Sequence, residues 1–334
     1  MGALLYYAAT LVVFFFIYNI LTWGLNIQFG YTGILNFAFI VFMAIGAYVT
    51  GVTSLGKPTV FSQETYILGL SLFFPIPLLL GGIVAGIFGL LVGGIALKRL
   101  RSDYMAIVTV AVGSIAYDII GNYTPLFNGW DGISGVPAPL NDVINVDPLT
   151  YQVIFIAICG IVMLILWWFT TRLQNSPFGR TLRSIREDLD VSEAFGKNTF
   201  RYRMIAMFIG CFYAGIAGGL LIEFAGAFNP SGWTAGETFV IWAALLVGGR
   251  GNNWGAILGA LLVPVVFQEA TRFLPQFPSN PALIAALRNI VVGSVLILIL
   301  WFRPQGILPE KKRGFFAKSM KTSLKKENTN VVSS

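Results

Sequence analysis

Histidine is absent from all 334 residues. That excludes Ser-His-Asp and Cys-His catalytic arrangements and every histidine-based metal site. Cysteine is nearly as scarce: Cys159 and Cys211 both lie inside apolar runs and read as core fillers, not as a disulfide framework. Charged residues make up 11% of the chain, well under the roughly 25% of a soluble domain. The phosphate-cradling pattern G-x-x-x-x-G-K-[ST] is missing, so ATP has no usual site on this chain, and Gly249-Arg250-Gly251 reads as a tight turn. No nucleophile-base pair or metal constellation marks a membrane enzyme.

Apolar length is what the sequence has. The hydrophobic fraction is 56% and the mean hydropathy +0.76. Runs near the roughly 20 residues that cross a bilayer recur over 3–23, 27–52, 66–97, 104–121, 151–171, 204–227, 234–247, 254–273 and 282–302. Backbone in lipid must satisfy itself, so the runs are helices. The expected fold is an all-α integral membrane protein, a polytopic bundle of about nine transmembrane segments, eight to ten in range. The 66–97 run is longer than one crossing needs and contains Pro75 and Pro77, which predicts a tilt, a kink or a split. The first 22 residues lack a basic leader and read as a retained span, not a signal peptide. A membrane domain over 1–309 precedes a basic, polar, disordered tail over 310–334.

The net charge of +7 does not point to nucleic acid, because the basic residues cluster in 172–203 and after Trp301 without aromatic interleaving. Lysine and arginine near membrane ends stay cytoplasmic. The turn with Lys98, Arg99 and Arg101, the loop 172–203 and the C-terminal tail are therefore inside, and the stretch with Asp131, Asp142 and Asp147 is outside. Glycines four apart, Gly82 and Gly86, Gly89 and Gly93, Gly255 and Gly259, predict close helix packing within the chain. Ionisable groups within spans are functional candidates by default. Asp118, Glu223, Glu237 and Glu269 lie near outer span ends, where water or a docked protein satisfies them, and Arg288 is expected to pair with Glu269 or Asp118.

The stretch 174–203 has no place in a bilayer. Ser176 as N-cap with Pro177 after it starts one helix. Phe178, Leu182, Ile185 and Leu189 form its apolar stripe, and Arg180, Arg183 and Arg186 reach for headgroups. A second helix is expected to begin at Asp190, with Glu193 completing a capping box and Gly196 as its left-handed stop. Ala194 and Phe195 would then form a rigid cytoplasmic knob. In the membrane, glycines interrupt two segments, at Gly30 and Gly33 and over 248–255, and broken helices point to a transport path. Asn26, Gln28, Tyr31, Thr32 and Asn36 are the pathway candidates.

The run Ser-Pro-Phe-Gly-Arg-Thr-Leu-Arg-Ser-Ile-Arg-Glu-Asp over 176–188, with Ser-Glu-Ala-Phe-Gly-Lys-Asn over 192–198, resembles the coupling loop of the M-type permeases of branched-chain amino-acid ABC importers. Residues 26–33, Gly46-Ala47-Tyr48, 100–109, 131–137, 248–255 and Arg303-Pro304-Gln305-Gly306 fit the same family in order. The resemblance implies a permease subunit of a prokaryotic plasma membrane with a cytoplasmic C-terminus. It also implies a homologous H-type permease partner, two cytoplasmic ATP-binding subunits that hold ATP and magnesium, and an extracellular solute-binding protein. Asp190, Glu193, Ala194, Phe195, Gly196, Arg180 and Arg186 would couple to the ATPase. Where many relatives carry a Ser-Leu-Gly-His-like run, this chain has Leu35-Asn36-Phe37-Ala38-Phe39, and similar permeases also serve urea and short amides. An ion-coupled secondary transporter is the other alternative; it needs midplane carboxylates and gives the knob no task.

Overall fold

The computed structural model describes residues 2–57, 68–99, 102–140, 147–267 and 301–310 apart from 304, with isolated positions between 287 and 298. Helix α1 (Gly2–Leu25) runs into a wider π turn (Asn26–Gly30), and α2 (Phe39–Ser54) follows a non-helical break. Next come α3 (Ile76–Arg99), α4 (Ser102–Asn122), the short α5 (Thr124–Phe127) and strand β1 (Ile133–Ser134). Helix α6 (Pro148–Asn175) leads to α7 (Pro177–Glu187), α8 (Leu189–Ala194) and α9 (Thr199–Ala225). Strand β2 (Ala227–Phe228) pairs antiparallel with β1, and α10 (Ala235–Gly248) and α11 (Asn253–Ala260) follow, the last continuing as a π-helix over Leu261–Phe267.

Among the described residues five helices are long and apolar enough to span: Leu4–Gly30, Ile76–Lys98, Tyr104–Asn122, Leu149–Asn175 and Thr199–Ala225. The bundle is an all-α membrane fold, but nine full spans are not established. The expected 27–52 and 234–247 spans are instead helices of 16 and 14 residues, about 24 and 21 Å at 1.5 Å per residue, short of a hydrocarbon layer of about 30 Å. Most of the 282–302 run, Glu269, Arg288 and the tail from 311 lie outside the described residues. The prolines of the 66–97 run neither kink nor split a helix. Residues 68–73 are non-helical, and α3 starts just after Pro75 with Pro77 in its first turn, where a missing N–H costs nothing.

Helix α9 is the axis of the bundle. Its apolar window is 72% buried, against 22% to 44% in the other four spans. The cause is its run of small residues, Gly210, Ala214, Gly215, Ala217, Gly218 and Gly219, which lets neighbours close to backbone contact where lipid gives no hydrophobic drive. A Cβ on Gly81 of α3 would lie 2.7 Å from the Gly46 carbonyl of α2, and one on Gly215 of α9 would lie 2.7 Å from the Gly81 carbonyl. Three helices thus cross on three glycines. Gly82, Gly86, Gly89 and Gly93 also face α9, against Ile216, Phe208, Cys211 and Met204. The glycine spacings therefore serve packing within the chain.

Bulk placed at the crossing should be destructive. Gly215→Leu forces overpacking worth about 1–3 kcal/mol or more and should lower the detergent-solubilised melting temperature, whereas Gly94→Ala, whose nearest neighbour is Met204 Cε at 3.9 Å, should leave it unchanged. Equal melting temperatures for Gly215→Leu and the natural protein would refute the crossing.

Candidate functional site: the loop 176–198 and the helix breaks

Helix α7 starts as its residues dictate: Ser176 Oγ accepts from the Gly179 amide at 3.2 Å, with Pro177 following. Leu182 and Ile185 are buried, and Phe178 stacks on Tyr202 of α9 with ring centroids 5.3 Å apart. Helix α8 is capped two residues earlier than the sequence suggests. Its N-cap is Asp188, whose Oδ1 accepts from the Val191 amide at 3.0 Å. Asp190 is therefore in the first turn, and Glu193 makes no capping box: its carboxylate accepts from the Thr199 hydroxyl. The extended backbone of Asp188, φ −154° and ψ 115°, ends α7 and starts α8 with one residue. Gly196 adopts φ 73°, and its amide donates to the Glu193 carbonyl at 2.8 Å. On this frame Phe195 is 80% and Val191 48% exposed, an apolar tip left open by the described residues.

The arginines of α7 do not all reach for headgroups. Arg180 is exposed, but Arg183 and Arg186, one turn apart, point into the protein. Arg186 Nη2 donates to Glu310 Oε2 at 2.7 Å, and its Nη1 donates to the Gly30 carbonyl at the end of the π turn. Arg183 Nε lies 3.2 Å from Glu310 Oε1, its Nη2 donates to the Gln174 carbonyl at 2.7 Å, and its guanidinium lies over the Tyr31 ring at 5.8 Å. The two ion pairs are largely shielded from solvent, with side-chain exposures of 18% to 24%, and the Gly30 carbonyl, freed by the helix break, gains a charged donor.

Glu310 is the first residue of the expected tail, yet it is held in the bundle. The segment before it straps the end of α10: the Ile307 and Leu308 amides donate to the Val247 and Gly248 carbonyls at 2.9 Å each. Asn252 Nδ2 donates back to the Leu308 carbonyl at 3.2 Å. These bonds satisfy carbonyls that the end of α10 would otherwise leave open.

The two glycine-interrupted segments meet beneath this strap. Asn26 Oδ1 accepts from the Gly251 amide at 2.8 Å, Tyr31 donates to Asn253 Oδ1, and Trp23 Nε1 donates to the Asn253 carbonyl at 3.2 Å. Gly30 must be glycine because a Cβ would strike Asn26 Oδ1. Gln28 Nε2 donates to the Met207 carbonyl of α9 at 3.1 Å and its Oε1 accepts from Asn36 Nδ2 at 2.9 Å; the Thr32 hydroxyl bonds the Gln28 carbonyl. All five pathway candidates are buried at 3% exposure or less and knit α1, α9 and the α10–α11 turn together. Gln174, Arg183, Asn252, Asn253 and Glu310 were absent from the sequence-based site. The one-turn spacing of Arg183 and Arg186 marks that pair, and the glycine-rich run 248–255 contains Asn252 and Asn253; nothing local marks Gln174 or Glu310.

Of the span carboxylates, Glu237 accepts from Tyr18 at 3.2 Å and Asp118 is exposed. Glu223, in the last turn of α9, is 3% exposed.

Residues 7–300 match the family described as the branched-chain amino acid transport system permease component. The chain belongs to that family. It is 30% identical over 313 residues to the high-affinity branched-chain amino acid transport system permease protein LivM of Escherichia coli, covering 88% of this chain and 68% of the relative. Identity to the probable branched-chain amino acid transport permease protein LivM of Methanocaldococcus jannaschii is 28% over 338 residues, 90% of this chain and 93% of the relative. The permease protein LivH of Salmonella typhimurium is 27% identical over 302 residues, 87% of this chain and 91% of the relative. No solved structure matches the chain. As a member of this permease family with several apolar spanning helices, it is a multi-pass membrane protein.

Glu310→Gln removes the shared anion between two arginines. It should speed amide exchange across residues 177–187 about tenfold, ~1.4 kcal/mol of local opening, with no change in α3; unchanged protection of α7 would show that the strap does not hold the loop.

Proposed function

We propose that the chain is the membrane subunit of an ATP-driven importer for leucine, isoleucine and valine, paired in a prokaryotic plasma membrane with a homologous H-type permease. ATP is hydrolysed on two separate cytoplasmic subunits, and an extracellular binding protein delivers the amino acid. The observation that carries this reading is the two-sided coupling loop. One side offers Phe195 and Val191 to a partner; the other is tied through Arg186 to the Gly30 carbonyl at the first helix break.

A cleft that closes on the Phe195 knob pulls on α7, and α7 is bonded to the π turn and the C-terminal strap. Displacement of the knob therefore has a route to the breaks through α7, beside the contacts with α9 in which Glu193 meets Thr199 and Phe178 stacks on Tyr202. Short helices end in the breaks, where the backbone bends more readily than in a full span. The likeness to both LivM and LivH proteins supports a pair of related permeases as the membrane unit. The exposed apolar tip, small and rigidly capped, has the character of an anchor that fills a partner's pocket.

Phe195→Asp in the complex reconstituted with its permease partner, ATPases and binding protein should reduce ATP-dependent leucine uptake at least about tenfold, with the chain still inserted and folded. Uptake at the natural rate, or uptake that needs no ATPase, would overturn the proposal.

A further inference from the structure

We propose that a cavity at the end of the bundle opposite the coupling loop receives the α-ammonium group of an aliphatic amino acid on the carboxylate of Glu223. This rests on the importer reading above and names a receiving site within it. The cavity has a volume of about 370 Å3, at the small end of the ligand-pocket range of about 300–1,000 Å3. It lies between the end of α2, the segment leading into α3, the segment after β1 and the last turn of α9. By the distribution of loop charges this is the outer face, where a delivered solute first meets the permease.

The lining is mixed, with Ser54 and Ser71 among its polar members, and carries one charge. Leu55, Phe74, Pro77, Pro139 and Leu140 supply walls for a branched side chain, and Glu223 is the one charged residue among those that line the cavity. Glu223 is 3% exposed, and its Oε2 has no hydrogen-bond partner. The ion pairs among the described residues belong to Glu310, so no lysine or arginine there neutralises Glu223. The ionisable groups that interact with it, Tyr151 and Cys159 of α6, carry no positive charge. A carboxylate so little exposed and left without a cation is costly in its charged form at the edge of a bilayer. An ammonium group, with three donors and one positive charge, supplies what the site lacks, and the apolar walls select the rest of the molecule.

The test is leucine uptake and ATP hydrolysis by the complete reconstituted complex. Glu223→Gln loses no hydrogen bond from Oε2, so folding is retained, and maximal uptake should fall about tenfold or more while loaded binding protein still stimulates ATP hydrolysis. Glu223→Asp should keep part of the uptake. Ala138→Trp, which fills the cavity from its lining loop and leaves the carboxylate in place, should lose uptake like Glu223→Gln. Natural uptake by Glu223→Gln overturns the site. Loss of ATPase stimulation or of assembly along with uptake also overturns it, because it marks a structural carboxylate. Uptake that disappears when sodium is replaced by choline assigns Glu223 to a metal cation and equally rejects the amino acid. No leucine uptake by the natural complex would instead defeat the importer reading itself.

Discussion

A polypeptide that leaves helical geometry inside a bilayer must find hydrogen-bond partners within the protein, and this constraint organises the whole basic end of the molecule. The π turn after α1, the break before α2 and the turn between α10 and α11 each release backbone groups from the helical ladder. They are answered by one another and by side chains brought from far along the chain. Asn26 takes the Gly251 amide, Trp242 Nε1 donates to the Asn36 carbonyl at 3.2 Å, and Arg186 takes the Gly30 carbonyl. The strap before Glu310 closes the end of α10. The Asn26–Gly251 and Trp242–Asn36 bonds are buried, so each weighs more than its counterpart in a soluble loop.

The same constraint divides the molecule mechanically. Where α2, α3 and α9 cross on Gly46, Gly81 and Gly215, backbones touch and little can slide. Where α7 meets the breaks, the contacts are hydrogen bonds and ion pairs between short elements. The loop 176–198 makes the second kind of contact with the breaks and also packs on the start of α9 through Phe178 and Glu193. In the proposed mechanism, a push on Phe195 is passed through α7 to the segments whose backbone is least constrained by regular structure.

Hydropathy revealed the membrane class but not where helices begin and end, because composition cannot see the break that precedes Phe39 when apolar residues stand on both sides of it. The N-cap at Ser176 and the stop at Gly196 were legible because each depends on residues within one turn. The cap of α8 was not. Asp188 and Asp190 both stand near its start; Asp190 has Glu193 three residues on, but Asp188 has the extended backbone that an N-cap needs. Arg186 was visible as a loop cation, but its partners were not. Gly30 lies 156 residues before it and Glu310 124 residues after it, distances over which no local pattern carries information. Glu223 read as an outer-end carboxylate; that it is 3% exposed shows only once the loops are packed around the cavity.

The central claim is that the coupling loop and the helix breaks move as one body against the glycine-packed core. Spin labels at exposed Lys197 on the loop, Arg250 at the second break and Lys98 at the end of α3 would test it by pulsed distance measurements on the reconstituted complex, with and without trapped ATP. A joint movement leaves the Lys197–Arg250 distance fixed while Lys197–Lys98 shifts. A Lys197–Arg250 distance that changes as much as Lys197–Lys98, or a Lys197–Lys98 distance indifferent to ATP, would contradict it.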